Sequence, residues 1–192
     1  MNDAVSGAVA PADATTEWAT LGGGCFWCLD PLFSRVEGVG SVECGYANGH
    51  VLSPTYEQVC TGDTGHAEVV RIGFDPKVID YRTLLQMFFS MHDPTTPNRQ
   101  GNDVGTQYRS GIYTHGPEQE RVAREVIRQL EAEHLFEAPI VTEVAPVENY
   151  ARAEDEHQDY FEQHPWQGYC SFVIAPKVQK FRKQFASRLK PA

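Results

Sequence analysis

Two cysteines, Cys25 and Cys28, lie three positions apart in the stretch LGGGCFWC, which starts at Leu21. Thiols at this spacing can form a disulfide, can supply half of a metal site, or can act as one nucleophile beside an inert neighbour. The three glycines before Cys25 favour chemistry at this cysteine, because glycine allows close approach of a backbone or substrate and is unfavourable in an ordinary core. The spacing alone leaves the role of Cys28 open.

A second group of reactive residue types lies in the segment TGHAE, which ends at Glu68. His66 and Glu68 have the HxE spacing of zinc nucleobase deaminases, but in those enzymes the cysteine pair follows HxE within PCxxC. Here the cysteine pair comes first, which argues against a deaminase. Glu68 is either a solvated carboxylate at the start of a strand or a buried proton donor with a raised pKa beside the cysteine. The sequence leaves both alternatives open.

Hydrophobic spacing predicts the elements around Cys25. The segment from Glu17 to Leu21 has the pattern of a short strand, and the apolar residues from Phe26 onward recur at helical spacing. Cys25 is therefore predicted at a helix N-terminus, where the helix dipole and free backbone N–H groups favour a thiolate. Pro31 conflicts with a regular helix at this point, so we expect a kink or a distorted start.

The rest of the chain alternates between strand-like and helical patterns. Strand-like segments span 38–46, 67–74, 108–114 and 140–144, and helical segments span 80–89 and 117–134. The order β-α-β-β-α-β predicts an α+β fold, a ferredoxin-like two-layer sandwich with additional helices and an irregular C-terminal region. Segment 47–66 is rich in Gly, Pro, Asn and Thr and is predicted to be a functional loop. The basic tail 177–190 is predicted to be a helix docked on the domain.

Length and composition limit the classes of function. The 192 residues suit one catalytic domain, predicted over 17–192, after a flexible leader over 1–16 that lacks the features of a secretory signal. A formal net charge of −10 argues against nucleic-acid binding, and no apolar run approaches membrane-spanning length. Five cysteines, an odd number, favour reactive or metal-binding thiols over a disulfide framework. We therefore expect a cytoplasmic monomer with neither nucleic acid nor membrane as a partner.

Longer motifs carry more information than the CxxC pair. The chain contains the runs GCFWC, PTYEQVCTGDTGHAEVVRIGFDP, HDPTTPNRQGNDVGTQYRSGIY and EDEHQDYF, followed by YC. With these motifs in the family's order, it closely resembles the A-type peptide methionine sulfoxide reductases. The resemblance implies reduction of the S epimer of methionine sulfoxide, free or in oxidised proteins, to methionine. It implies neither a bound cofactor nor a metal.

The resemblance also implies a role for each motif residue. Cys25 is the nucleophile that attacks the sulfoxide sulfur, and Glu68 is the acid that protonates the departing oxygen. Phe26 and Trp27 hold the substrate's methyl group, a contact that suits aromatic rings. The other residues implied around the oxygen are the donors Tyr56 and Tyr108 and the polar-shell residue Asp103.

A second thiol must follow Cys25, because a cysteine sulfenic acid condenses with a thiol to give a disulfide. In the family a C-terminal cysteine commonly resolves the sulfenic acid, and Cys170 in GYC matches that position. The chain departs from the commoner GCFWG motif by having Cys28, so both cysteines stay candidates. Cys44 and Cys60 are predicted to be packing residues. Thioredoxin is the implied reductant of the disulfide.

Two other classes of function compete with a reductase. A metal-binding module would use Cys25 and Cys28 together with His66 or another histidine. A general thioredoxin-like disulfide oxidoreductase is disfavoured, because CFWC follows a triple glycine without the surrounding fold pattern. His157 lies in a charged segment and is predicted to be a surface or structural residue rather than a ligand or base.

Overall fold

The computed structural model of the protein describes residues 15–192. The predicted leader over 1–16 lies outside the described residues except for positions 15 and 16. The strands are β1 (Glu17–Gly22), β2 (Val39–Ala47), β3 (Ala67–Phe74), β4 (Arg99–Gln100), β5 (Asp103–Val104), β6 (Gly111–Thr114), β7 (Glu143–Pro146) and β8 (Ala151–Arg152). The helices are α1 (Phe26–Phe33), α2 (Tyr56–Cys60), α3 (Tyr81–Met91), α4 (Pro117–Ala132), α5 (Tyr160–Gln163) and α6 (Ala175–Gln184).

One mixed sheet organises the fold, with its strands in the order β7-β6-β1-β3-β2-β8. Neighbouring strands are antiparallel except for β6 and β7, which are parallel. β4 and β5 form a separate hairpin. Helices and strands are interspersed along the chain, and the sheet is mainly antiparallel. The predicted α+β class is therefore confirmed.

The central strand β3 is buried along nearly its whole length because both faces of the sheet are covered. Side chains alternate between the faces of a strand. Val70 and Ile72 therefore point into the main core, where α1, α3 and α6 pack, whereas Ala67 and Val69 lie in a smaller cluster with Tyr113 on the other face.

Helix starts follow the local sequence. Asp80 caps α3 by accepting a hydrogen bond from the backbone N–H of Thr83 at 2.7 Å, and Pro117 opens α4. Helix α1 begins at Phe26 and contains Pro31, ending only two residues later at Phe33. This short helix packs against β2, β3 and α6.

Several predicted bounds differ from the structure. The predicted strand 108–114 begins only at Gly111, because Thr106–Tyr108 forms a 3-10 turn. The predicted strand 140–144 lies at Glu143–Pro146 instead. In the tail, α6 buries Val178 and Phe181 and ends at Gln184, so the helix is shorter than the predicted segment 177–190.

Candidate active site

Cys25 lies between the glycine-rich end of β1 and the first residue of α1. Its backbone (φ −59°, ψ 126°) is not helical, and its carbonyl accepts the first hydrogen bond of the helix from the N–H of Cys28 at 3.0 Å. Gly24 before it has φ +97°, and a Cβ there would lie 2.7 Å from Cγ of Gln100. Glycine is thus required at this position. The residue Cys25 as a whole is partly exposed, although its sulfur is buried.

The surroundings of Cys25 hold its thiol in the protonated form. Burial of the sulfur raises its pKa well above 9.0, and the hydrogen bond to Cys28 and the charge of Glu68 act in the same direction. The N–H of Trp27 lowers the pKa by less. The prediction of a thiolate at the helix start is therefore wrong for the resting protein, chiefly because the sulfur is buried. The N–H of Phe26, at the same helix start, donates to Glu68 Oε1 at 3.2 Å.

Glu68 is a buried acid beside this helix start. It is only 1 % exposed, lies opposite Tyr46 in β2, and shares the face of β3 that carries Val70. Burial raises its pKa to about 8, although the N–H of Phe26 acts against the shift. Within the part of the chain that the structure describes, Glu68 Oε2 has no hydrogen-bond partner. Of the two alternatives for Glu68, the structure excludes the solvated carboxylate and shows a buried carboxyl with a raised pKa, as a proton donor requires.

Three loops bring polar side chains to the same place. Tyr56 starts α2 inside the predicted functional loop, Tyr108 ends the 3-10 turn before β6, and Asp103 starts β5. Burial raises the pKa of both tyrosines, and the charge of Glu68 contributes to each shift. The charge of Cys25 also contributes at Tyr108. The structure thus brings these predicted site residues together around Glu68 and Cys25.

Phe26 and Trp27 form an aromatic wall beside Cys25. Phe26 is fully buried, with its ring centroid 5.7 Å from that of Tyr46, whereas Trp27 is half-buried. Tyr160 of α5 stacks on Trp27 at 3.8 Å between centroids and an interplanar angle of 7°. The Trp27 side chain is therefore held by aromatic contact as well as by the core.

His157 supports this wall from inside the protein. Its Nδ1 accepts a hydrogen bond from Trp27 Nε1 at 3.2 Å, and its ring lies 4.4 Å from that of Tyr56. The side chain is 4 % exposed, so the surface alternative for His157 is wrong and the structural one holds. The reason is the 3-10 turn Asp155–His157, which turns His157 inward while Glu156 stays exposed.

The remaining cysteines have different surroundings. Cys28 is buried, with Sγ 3.6 Å from the Tyr169 hydroxyl and 3.9 Å from Nζ of Lys177, and its pKa is lowered to about 7, chiefly by the hydrogen bond from Cys25. Cys170 is buried in a π-helical turn, and its thiol donates to Gln167 Oε1 at 3.6 Å.

Cys44 and Cys60, both predicted to be packing residues, differ in burial. Cys44 is fully buried in β2, where its thiol donates to Asp30 Oδ2 at 3.8 Å. Cys60 is exposed at the end of α2, so the packing prediction is wrong there. In this five-residue helix the inward position is taken by Val59, which turns the next side chain outward.

The competing metal module is not assembled. His66 Nδ1 accepts from the N–H of Gly49 at 3.2 Å, and Nε2 lies 2.6 Å from the carbonyl oxygen of Val51. Both ring nitrogens are thus engaged away from Cys25 and Cys28. The group with metal-compatible spacing among residues 15–192 is Glu154, Glu156 and His157, which includes neither cysteine.

Sequence reasoning missed several side chains of this site. Tyr160 lies in EDEHQDYF and Tyr169 lies in GYC, both of which were recognisable as motifs, so a signal existed without a role attached. Lys177 belongs to a basic segment, and nothing in the spacing of the charges in that segment distinguishes Lys177 from its neighbours.

Among the described helices, none combines the length and apolarity needed to cross a membrane.

Comparison with known proteins agrees with this geometry. The family model for peptide methionine sulfoxide reductase matches residues 17–189. A peptide methionine sulfoxide reductase MsrA of Ralstonia nicotianae is 59% identical over 177 residues, covering 90% of this chain and 93% of the relative. The chain belongs to the peptide methionine sulfoxide reductase family.

Solved structures show the same likeness. The reduced form of Mxr1 from Saccharomyces cerevisiae superposes with a TM-score of 0.75 at 35% identity, covering 82% of this chain and 91% of that one. Mxr1 in complex with Trx2 gives a TM-score of 0.53 at 25% identity, covering 77% and 86%.

Proposed function

We propose that the protein reduces the S epimer of methionine sulfoxide, free or in oxidised proteins, to methionine. The observation that carries the proposal is the buried carboxyl of Glu68, whose raised pKa keeps it protonated at neutral pH beside a partly exposed Cys25. A sulfoxide oxygen leaves only if it is protonated, and a neutral buried acid is suited to that transfer.

In the first step the Cys25 sulfur attacks the sulfoxide sulfur, and the oxygen ends on Cys25 as a sulfenic acid. The sulfoxide sulfur gains two electrons and becomes the thioether of methionine, while the Cys25 sulfur loses two. Glu68 gives its proton to the oxygen and recovers one from the Cys25 thiol. No external oxidant or metal enters this balance.

The substrate is held by two kinds of contact. We assign the methyl group to the wall of Phe26 and Trp27, since a thioether methyl packs well against aromatic rings. Tyr56 and Tyr108 donate to the sulfoxide oxygen, and their raised pKa values keep both hydroxyls protonated. Asp103 orders this polar side of the site through its hydrogen bond from the Tyr169 hydroxyl at 2.8 Å.

In the second step Cys28 resolves the sulfenic acid. Its backbone N–H donates to the Cys25 carbonyl at 3.0 Å, so the two cysteines lie on one helical turn. Its pKa of about 7, lowered chiefly by the interaction with Cys25, gives a thiolate fraction at neutral pH. Cys170, buried in its turn, is the alternative partner. An external dithiol then reduces the disulfide, and the complex of the similar protein Mxr1 with Trx2 supports thioredoxin in this role.

We further propose that the sheet and its helices have a ferredoxin-like topology. Apart from the short α2 and the hairpin β4-β5, the segment from β1 to β6 has the order β1-α1-β2-β3-α3-β6 and the spatial order β6-β1-β3-β2, which supports a ferredoxin-like core. We propose that residues 17–192 form one catalytic domain that acts as a monomer. Five free thiols support a reducing compartment, the cytoplasm.

A single-turnover experiment tests the function. The reduced protein, without external reductant, is mixed with resolved S or R epimers of N-acetylmethionine sulfoxide. We expect one methionine per chain from the S epimer and none from the R epimer, since one disulfide supplies two electrons. Equal yields from both epimers, or no product from either, would contradict the proposal.

A further inference from the structure

The surroundings of Cys28 include one cation. Lys177, in the first turn of α6, places Nζ 3.9 Å from Cys28 Sγ and is only partly exposed. Among residues 15–192, no carboxylate oxygen lies within 4.0 Å of this Nζ. The ammonium group is therefore not engaged in an ion pair with an acid and is directed at a thiol.

The other polar neighbour of Cys28 cannot take the same role. Tyr169 has its oxygen 3.6 Å from Cys28 Sγ, but its single proton is donated to Asp103 Oδ2 at 2.8 Å. While that bond persists, the hydroxyl can accept a hydrogen bond from a Cys28 thiol but cannot donate one to a Cys28 thiolate. Lys177 is then the neighbour that both donates and carries positive charge.

We propose that Lys177 is a positioning residue that stabilises the thiolate of Cys28 for its attack on the sulfenic acid of Cys25. The inference rests on the proposed function. In this step the bond between the two sulfurs forms and the S–O bond of Cys25 breaks. The oxygen leaves as hydroxide and takes up the proton that Cys28 released, giving water. The Cys25 sulfur is reduced and the Cys28 sulfur is oxidised, so no outside electron acceptor is needed.

Other charged groups around Cys28 oppose Lys177. The interaction with Cys25 lowers the pKa of Cys28 the most and the charge of Lys177 lowers it further, whereas burial and the charge of Asp103 raise it. Cys28 in turn raises the pKa of Glu68 and of Cys170, so these two groups also face it. The cation thus offsets a surrounding set of acids.

The test separates the two chemical steps in single turnover with the S epimer. Methionine release reports the attack by Cys25, and the lifetime of the sulfenic acid, followed with a dimedone-type trap and disulfide mapping, reports the attack by Cys28. The variants are Lys177→Met, which removes the charge, and Lys177→Arg, which retains it. Lys183→Met, on an exposed position of the same helix, is the matched control for net charge.

We expect Lys177→Met to release methionine at the wild-type rate but to form the Cys25–Cys28 disulfide roughly three- to tenfold more slowly at pH 6. The loss is smaller than the fall in thiolate, because a thiolate of higher pKa is a better nucleophile. The deficit closes as the pH rises above the thiol pKa of the variant, where both proteins are fully ionised. Lys177→Arg and Lys183→Met keep the wild-type rate within about twofold.

Three results would overturn the inference. They are an unchanged disulfide rate in Lys177→Met, an Arg variant as slow as the Met variant, and a deficit that is the same at every pH. The last would show a structural role instead of an electrostatic one. Failure of the proposed function is distinguishable, since wild-type protein would then release no methionine from the S epimer.

Discussion

Cys25 and Cys28 lie on one helical turn, yet their surroundings shift their pKa values in opposite directions. The Cys25 thiol faces Glu68, and its pKa is raised well above 9.0. The Cys28 thiol faces Lys177 and receives a hydrogen bond from Cys25, and its pKa is lowered to about 7. Two chemically identical groups thus have different protonation states at neutral pH.

The difference comes from elements far away in the sequence. Glu68 lies in β3 and Lys177 in α6, and neither is placed by the CxxC spacing itself. In the proposed reaction, Glu68 on one side of the turn provides the proton that the departing oxygen needs, and Cys28 on the other side provides the thiolate that attacks the sulfenic acid. The surroundings of the two sulfurs, more than the CxxC spacing, would then give them different roles.

The largest expected effect separates the two thiols completely. Cys25→Ser should reduce methionine release by roughly a thousandfold or more, because no other group replaces the nucleophile. Cys28→Ser should still release methionine in single turnover while losing the disulfide with Cys25. Quenched-flow measurement of methionine checks both. Substantial release by Cys25→Ser would remove the assigned nucleophile.

The next largest expected effect concerns the proton on the buried carboxyl of Glu68. Glu68→Gln should slow methionine release by about a hundredfold, within the range that general acids supply. The wild-type rate should fall as the pH rises through about 8, where the Glu68 carboxyl ionises, and the variant should lack that fall. Glu57→Gln, at an exposed position of α2, is the control and should behave as wild type. A variant that keeps the alkaline fall would assign it to another group.

The same burial has a cost for stability that Glu68→Gln should reveal. The folded pKa of about 8 lies above the ordinary 4.5, so the unfolded chain loses this proton first as the pH rises. The wild-type free energy of unfolding therefore falls between those pH values relative to the variant, by roughly 2 to 5 kcal/mol. Urea denaturation at pH 5 and pH 9 measures this change. A difference that does not depend on pH would place the Glu68 pKa near its ordinary value.

Local sequence patterns predict much of the scaffold. The triple glycine and the apolar spacing after Phe26 place Cys25 directly before a helix, as observed, because turns and helical periodicity depend on neighbouring residues. Alternation predicts β3 at 67–74 with the observed bounds. The strand predicted at 108–114 is shorter, since the 3-10 turn at Thr106–Tyr108 leaves no apolar signal of its own.

Ionisation and burial are predicted less well, since they depend on distant contacts. The helix-start argument favours a Cys25 thiolate, but burial of the sulfur outweighs it, and the N–H of Phe26 is taken by a carboxyl 42 positions away. His157 lies in a charged segment, and only its contact with Trp27, 130 positions away, explains its burial. Lys177 lies 149 positions from Cys28. A single sequence contains no local pattern for such contacts.

The smallest expected effect decides between the two candidate resolving cysteines. Cys170 is fully buried in a π-helical turn, where its thiol already donates to Gln167 Oε1, whereas Cys28 lies on the same helical turn as Cys25, with its N–H donating to the Cys25 carbonyl at 3.0 Å. Cys170→Ser should therefore change the rate of disulfide formation in single turnover by less than about twofold, because a thiol already next to the sulfenic acid needs no rearrangement of the chain. Peptide mapping after one turnover measures this, with Cys28→Ser run in parallel. Loss of the Cys25 disulfide in Cys170→Ser, with its retention in Cys28→Ser, would reverse the assignment and make the Cys28 thiolate a bystander.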